Sequence, residues 1–441
     1  MSESTLQSRA PVAGEVRVSA TDGTPVSTRS VHVRDGALLV TALMTLAYAV
    51  NFMNQGIILV VAEQIKVDYA LTNSQLGFVL GLSYMLFSAL GALPLGRVAD
   101  VHSRSLVVGM SLALMGLATA FTSLVHSYWQ LIVFRAFAGT GDAGVLPGAV
   151  SMINDRVPAT RRPLALSVFN AGASVGALFV YLFMGHVAQR YGWRQAYLWV
   201  GVLGVVVGFA VHLALPDRHA SVAMSESSSG SIKAMLRLLA IRPYLHIVLA
   251  FIALGMTSSA TWNWISPVLQ RTYGFSVAQA GTLLGLGAGI STVMGSLFFG
   301  VLASRLRQRS VAGPAWVAVC MQIGAAACFT IGLSFDSAWS MMTCVAAGYF
   351  FAGAGMVTVF STIQEVVPRD SCGMAVGFAV LLFSLLGQGL GPLVTGVATD
   401  AFTAAFGNDA LRVVMQIAML IGTAWICIHL VSVARVLRQR D

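Results

Sequence analysis

The sequence predicts an all-α membrane protein with twelve transmembrane helices in two pseudo-symmetric six-helix bundles. Three observations carry this. The 441 residues are 57% hydrophobic and only 10% charged, whereas a soluble protein carries about a quarter charged residues. After a polar stretch over residues 1–36, apolar runs of about 20 residues alternate with short polar loops, the length a helix needs to cross a bilayer. The basic residues also sort by loop. With the N-terminus inside, twenty Lys and Arg fall on inside segments, and only Lys66, Arg190, Arg194, Arg271 and Arg412 fall outside. This bias places both termini in the cytoplasm. Arg135 is left over inside the membrane.

Disorder, a disulfide scaffold and an ordinary soluble enzyme are excluded by the same composition. A net charge of +9 invites a nucleic-acid reading, but the basic residues alternate with apolar spans and form no patch. Cys320, Cys328, Cys344, Cys372 and Cys427 contain no C-x-x-C pair, so no zinc or redox site is expected. The first apolar run is too long and starts too far in for a cleaved signal peptide.

In chain order, spans are expected near 37–61, 73–99, 105–125, 129–152, 164–187, 195–215, 244–268, 277–303, 311–333, 339–363, 373–398 and 409–432. All must be helices, because lipid cannot satisfy an irregular backbone. The first six form a bundle over 37–216 and the last six a bundle over 243–434, with a short tail at 435–441. Between them lies the longest internal loop, 217–242. Its Ser-rich part, Ser225 to Ser231, reads as a flexible linker. The stretch from Ile232 to Leu239 reads either as a short helix on the inner leaflet or as more linker.

The halves repeat. Leu80-Gly81-Leu82 through Gly91, Gly96 and Ala99 to Asp100 matches Leu284-Gly285-Leu286 through Gly295, Gly300 and Ala303 to Ser304, at a constant offset of 204. Phe137-Ala138-Gly139-Thr140-Gly141 matches Phe351-Ala352-Gly353-Ala354-Gly355. Such repeats build two-bundle transporters with the substrate at mid-membrane between the bundles.

Along its whole length the chain resembles the major facilitator superfamily. The loop after span 2 reads Gly96-Arg97-Val98-Ala99-Asp100-Val101-His102-Ser103-Arg104. It matches the superfamily motif at Gly96, Asp100 and Arg104 and departs from it at Val101 and Ser103. Within the superfamily the chain is most similar to the bacterial Spinster-like branch. Tyr48 to Phe52, Arg135 through Gly139, Gly141 to Ala143, Gly391-Pro392 to Asp400, and Ala410-Leu411-Arg412 carry that likeness. The resemblance implies the major facilitator fold, a bacterial inner membrane and a monomer. It also implies that Gly96, Asp100 and Arg104 form a cytoplasmic latch holding an outward-open state. Ser304 replaces the Asp in the second half, so a weaker latch is expected there.

Charges inside a membrane are functional hypotheses by default. Arg135 and Asp142, both in span 4, are the clear ones, and their repeat partners are Tyr349 and Met356. The fold therefore does not need charges at these places. Burial penalises a charged Asp142 and a nearby cation favours it, so a carboxyl between those effects can load and release a proton. A structural Asp is the alternative. The branch usually has Glu here. Arg135 lies about 10 Å away along the helix. Three partners are open to it: an anionic substrate, whose carboxylate or phosphate fits a guanidinium fork, another span, or the outer interface.

In span 1 the branch predicts an Asp-Arg pair, but this chain has Asn54-Gln55. Tyr48, Asn51 and Gln55 form one polar stripe with Asn54 beside it, lining a cavity or bonding between helices. Trp262, Asn263 and Trp264 before Pro267 are either interface anchors or a cavity wall. Ser384 and Gln388 lie one turn apart in span 11 and would complete the cavity. Asn170, Ser174 and Tyr181 form a similar stripe in span 5.

Gly139 to Gly144 spells G-x-G-x-x-G, but it sits in an apolar helix rather than after a strand. Its glycines serve close helix contact. No Walker Lys and no H-E-x-x-H exists, and span 5 lacks the proline of the superfamily's antiporter signature. No cofactor and no metal is expected. The leading expectation is therefore proton-coupled symport of a small organic anion. Export or flipping of amphipathic lipids or drugs is the alternative, and a non-transporting sensor ranks behind both.

Overall fold

The structure is a computed structural model that describes residues 30–101, 103–215, 232–353 and 355–439. The polar stretch 1–29, the Ser-rich part of the central loop and residues 440–441 lie outside the described residues. Every described element is helical. Span 1 is Ser30–Asp68, span 2 Asn73–Leu80 with Leu82–Val101, span 3 Arg104–Thr122, span 4 Tyr128–Arg156, span 5 Arg162–Tyr191 and span 6 Trp193–Ala214. Span 7 is Arg242–Arg271, span 8 Val277–Arg307, span 9 Gly313–Gly332 and span 10 Ala338–Ala352 with Gly355–Val366. Span 11 runs from Cys372–Leu382 to Leu390–Phe406, and span 12 is Ala410–Arg438. The segment after the Ser-rich part is a helix, Ile232–Leu238. Leu238 anchors it by packing in a buried cluster with Tyr244 and Ala375.

The repeat is visible in the caps. Thr72 and Gln75 form a capping box that starts span 2, and Ser276 and Gln279 form its counterpart at span 8. Each box satisfies amides that a helix start leaves open. The repeat is visible in the irregularities too. Span 2 breaks at Gly81, and span 8 widens to a π turn over Leu284–Gly289, at the same offset of 204. Spans 5 and 11 carry π turns over Val180–Met184 and Phe383–Gly389. Such turns leave backbone groups off the regular ladder, which membrane helices tolerate where protein covers them.

Small residues let the first six spans close tightly. A Cβ on Gly116 of span 3 would stand 2.6 Å from the Val205 nitrogen and 2.7 Å from the Gly201 carbonyl of span 6. In span 4, Gly139 lies against the Tyr84 carbonyl, Gly141 against the Ser111 carbonyl and Gly144 against the Ser111 hydroxyl. The glycine run of span 4 is thus a packing surface for spans 2 and 3.

The two bundles meet in the half of the molecule away from the chain termini. Gly77 and Gly81 of span 2 touch Pro392 and Gly389 of span 11, and Gly396 touches Asn73. Gly281 and Gly285 of span 8 touch Tyr181, and Gly185 of span 5 touches Val277. A single apolar core joins Ile57, Ile65, Leu76 and Val180 to Trp264, Val268 and Leu284 on this side. In the terminal half, Leu164, Val168, Val293, Met294 and Leu297 of spans 5 and 8 are exposed.

Candidate functional site

Asp142 lies midway along span 4, where spans 1, 2 and 3 converge. The Asn51 and Gln55 amides each donate to its Oδ1 at 2.8 Å, and the Ser88 hydroxyl donates to Oδ2 at 3.2 Å. Asn51 is tied further to the Met115 sulfur at 3.5 Å. Neutral donors therefore surround the carboxylate with no cation in ion-pair range among the described residues. Asp142 itself is half-buried rather than sealed.

Arg135 is buried to 4% exposure. Its Nε donates to the Val79 carbonyl at 3.4 Å, and its Cζ sits 4.6 Å from the centre of the Tyr84 ring. Next to the break at Gly81, where the Tyr84 and Met85 amides both bond to the Gly81 carbonyl, the Val79 carbonyl accepts from the Ser83 hydroxyl at 3.1 Å as well as from Arg135. Arg135 and Asp142 form no ion pair, and Arg135 has no carboxylate partner among the described residues. Its side chain leans toward the start of span 4, as helical side chains do.

Among the described residues, the second bundle brings no charge to this level. Tyr349, the repeat partner of Arg135, is buried and packs edge-on with Trp262 and Phe329, centroids 5.4 and 5.1 Å away. Trp262 also meets Tyr181 of span 5 at 5.9 Å, so it sits between the bundles rather than at a lipid interface. Asn263 spends its amide on the Ser259 carbonyl of its own helix, and Pro267 sits inside span 7 without ending it. Gln388 lies in the π turn of span 11, half-buried, and its amide donates to no protein group among the described residues.

The other candidates separate. Tyr48 stacks on Phe169 at 4.4 Å. Asn54 turns away from the Asp142 cluster, donating to the Val50 carbonyl and packing beside Gly204 of span 6. Asn170 donates to Leu166 of its own helix. The surroundings of Gly96 and the side chain of Asp100 lie outside what the structure describes. Arg104 forms an ion pair with Asp155 of span 4, within the first bundle, and Arg307 pairs with Glu365 at 2.6 Å within the second.

The sequence reading missed two features. Tyr84 and Ser88, one turn apart in span 2, complete the Asp142 site, and their spacing was the available signal. The other is a lock across the face opposite the termini. Arg271 of span 7 meets Glu63 of span 1 at 2.7 Å and donates to Asn73 Oδ1 at 2.7 Å. Asp400 of span 11 accepts the Asn73 and Ser74 amides at 3.0 and 2.8 Å, together with the Asn73 side-chain amide and the Ser74 hydroxyl. A carboxylate from one bundle thus caps a helix of the other, where the open amides and the helix dipole favour a negative charge. Arg271→Gln is expected to shift the balance toward opening of this face by about five- to tenfold, within the usual range of coupling energies. Spin labels at Val67 and Thr403 measure it. An unchanged distance distribution would show that the lock carries no weight.

Comparison with known proteins fits this geometry. The sequence profile of the Major Facilitator Superfamily matches residues 44–392. An MFS-type efflux pump of Mycolicibacterium smegmatis is 26% identical over 373 residues, covering 84% of this chain and 86% of that protein. A hexuronate transporter of Bacillus subtilis is 23% identical over 394 residues, covering 84% and 90%. Among solved structures, a bacterial homologue of the human lysosomal transporter Spinster, in an inward-facing and occupied conformation, superposes with a TM-score of 0.77 at 22% identity. The match covers 92% of this chain and 98% of that one. At that identity the likeness is one of fold.

Proposed function

The chain belongs to the major facilitator superfamily, and from that premise we propose that it is a proton-coupled symporter of a small organic anion. It is a multi-pass membrane transporter, not an enzyme. In this reading 37–216 and 243–434 are the rocking bundles, 217–242 is their linker, and the tails 1–36 and 435–441 face the cytoplasm of a bacterial cell. The protein works as a monomer in the inner membrane. In this reading the state is inward-open, and the Glu63–Arg271 and Asp400 contacts hold the outer face shut.

One observation carries the anion: Arg135 is a buried guanidinium with no carboxylate partner among the described residues. A buried charge without a counter-ion is costly, and a carboxylate substrate would supply the missing charge. Asp142 is the proton carrier, a half-buried carboxylate held by neutral donors. Tyr48, Asn51 and Gln55 from the first bundle and Trp262, Asn263 and Gln388 from the second support the substrate site, while Asn54, turned toward span 6, drops out of it. Gly96, Asp100 and Arg104 gate the cytoplasmic side in the outward-open state. The hexuronate transporter among the relatives handles an anion of this class.

The efflux pump among the relatives favours a second reading, export of an amphipathic compound. Uptake of labelled hexuronates, dicarboxylates and aromatic acids into proteoliposomes, with and without an inward proton gradient, decides between them. Accumulation that collapses with the gradient is the expected result. No accumulation of any acid, with reduced drug sensitivity on expression, would establish export instead.

A further inference from the structure

We infer that Tyr84 is a positioning residue that sets the proton affinity of Asp142 from beneath the guanidinium of Arg135. The inference rests on the proton-carrier reading of Asp142 and deepens it. Tyr84 is 1% exposed, and its ring forms the platform under Arg135. Its hydroxyl lies near Asp142 and Gln55, yet it is buried and closes no hydrogen bond of good geometry among the described residues. A buried orphan hydroxyl lowers stability, and replacing it with an apolar group of the same shape is close to neutral or favourable. Phe would fill this place at least as well as Tyr. The hydroxyl therefore has no structural use in this state, and it points at the one carboxylate of the site.

The surroundings of Asp142 fix what the hydroxyl can do. From span 1 come the Asn51 and Gln55 amides and, farther off, the Tyr48 phenol. From span 2 come the Ser88 and Tyr84 hydroxyls, and from span 3 only the Met115 sulfur, through Asn51. The Tyr84 ring lies on the face of the Arg135 guanidinium, 4.6 Å from its Cζ. An ionised Asp142 draws the phenol in as one more donor to its free Oδ2 lone pair. A protonated Asp142 needs fewer donors and lets the phenol go. The proton comes from water reaching the half-buried carboxyl, and Tyr84 itself stays neutral throughout.

The test needs no substrate. In purified protein, the infrared carbonyl band of protonated carboxyl groups is titrated with pH, and the part lost in Asp142→Asn is assigned to Asp142. Tyr84→Phe removes a donor to the charged form, so the carboxyl should hold its proton to higher pH. The expected shift of the midpoint is upward by about one unit, a tenfold change in proton affinity, with a melting temperature equal to or above the parent's. An Asp142 band with the parent midpoint in Tyr84→Phe overturns this inference alone. So does a lowered melting temperature with no shift, which would make the tyrosine structural. The absence of any band that depends on Asp142 overturns the proton-carrier reading and this inference with it.

Discussion

Asp142→Asn is expected to abolish concentrative uptake while leaving the protein folded and able to exchange substrate. The asparagine oxygen can still accept from Asn51 and Gln55, and its amide can donate to the Ser88 hydroxyl, so the local network survives. What is lost is the proton. A symporter moving one proton per substrate down an inward gradient of about one pH unit accumulates its substrate about tenfold at zero potential. The variant is expected to bring the substrate to equilibrium and no further, with counterflow persisting. Proteoliposome uptake under an imposed gradient, beside a counterflow assay, measures both. Full accumulation by the variant would remove Asp142 from the coupling step.

The second large effect is expected at Arg135. Arg135→Gln removes a buried cation that nothing in the described protein neutralises. If that cation meets the substrate's anionic group, its loss costs about 2–5 kcal/mol of binding, some thirtyfold to a few thousandfold in apparent affinity. Arg135→Lys keeps the charge but not the two-point fork and should fall between. Folding stability should hold or rise in Arg135→Gln, because an uncompensated buried charge is relieved. Binding titrations with a series of carboxylates, together with thermal melts, check this pair of outcomes. A sharp loss of stability with unchanged affinity would show that Arg135 serves only to tether the broken span 2 through the Val79 carbonyl.

Spans, repeat and the two buried charges were all legible in the sequence, because each follows from local composition or from spacing. The twelve helices follow from apolar runs that lipid obliges to be helical. The repeat is plain in Gly81 and Gly285, and the structure shows why: both mark where a helix at the bundle interface leaves regular α geometry. The glycines of span 4 read as packing residues because no strand precedes them, and they do lie on spans 2 and 3. The polar stripe of span 1 was less well resolved. Asn51 and Gln55 reach Asp142, while Asn54, beside them in sequence, faces span 6. One residue is a step of 100° around a helix, and only the neighbouring helices decide which way that step points.

The sequence by itself determined the fold class, the membrane setting and the presence of one cation and one carboxylate at mid-membrane. These depend on properties that residues carry wherever the chain folds: hydropathy, charge and helical spacing. Tertiary structure alone decided the partners. Arg135 does not meet Asp142: its guanidinium goes to the Val79 carbonyl and lies on the Tyr84 ring, while Asp142 is held by Asn51, Gln55 and Ser88. Arg271, counted in the sequence only as a loop charge, closes a lock between bundles with Glu63 and Asn73, beside Asp400 on the start of span 2. Those residues lie some 200 to 330 positions apart. Such contacts leave no periodic trace in the sequence, because they arise only when separately folded helices are brought together.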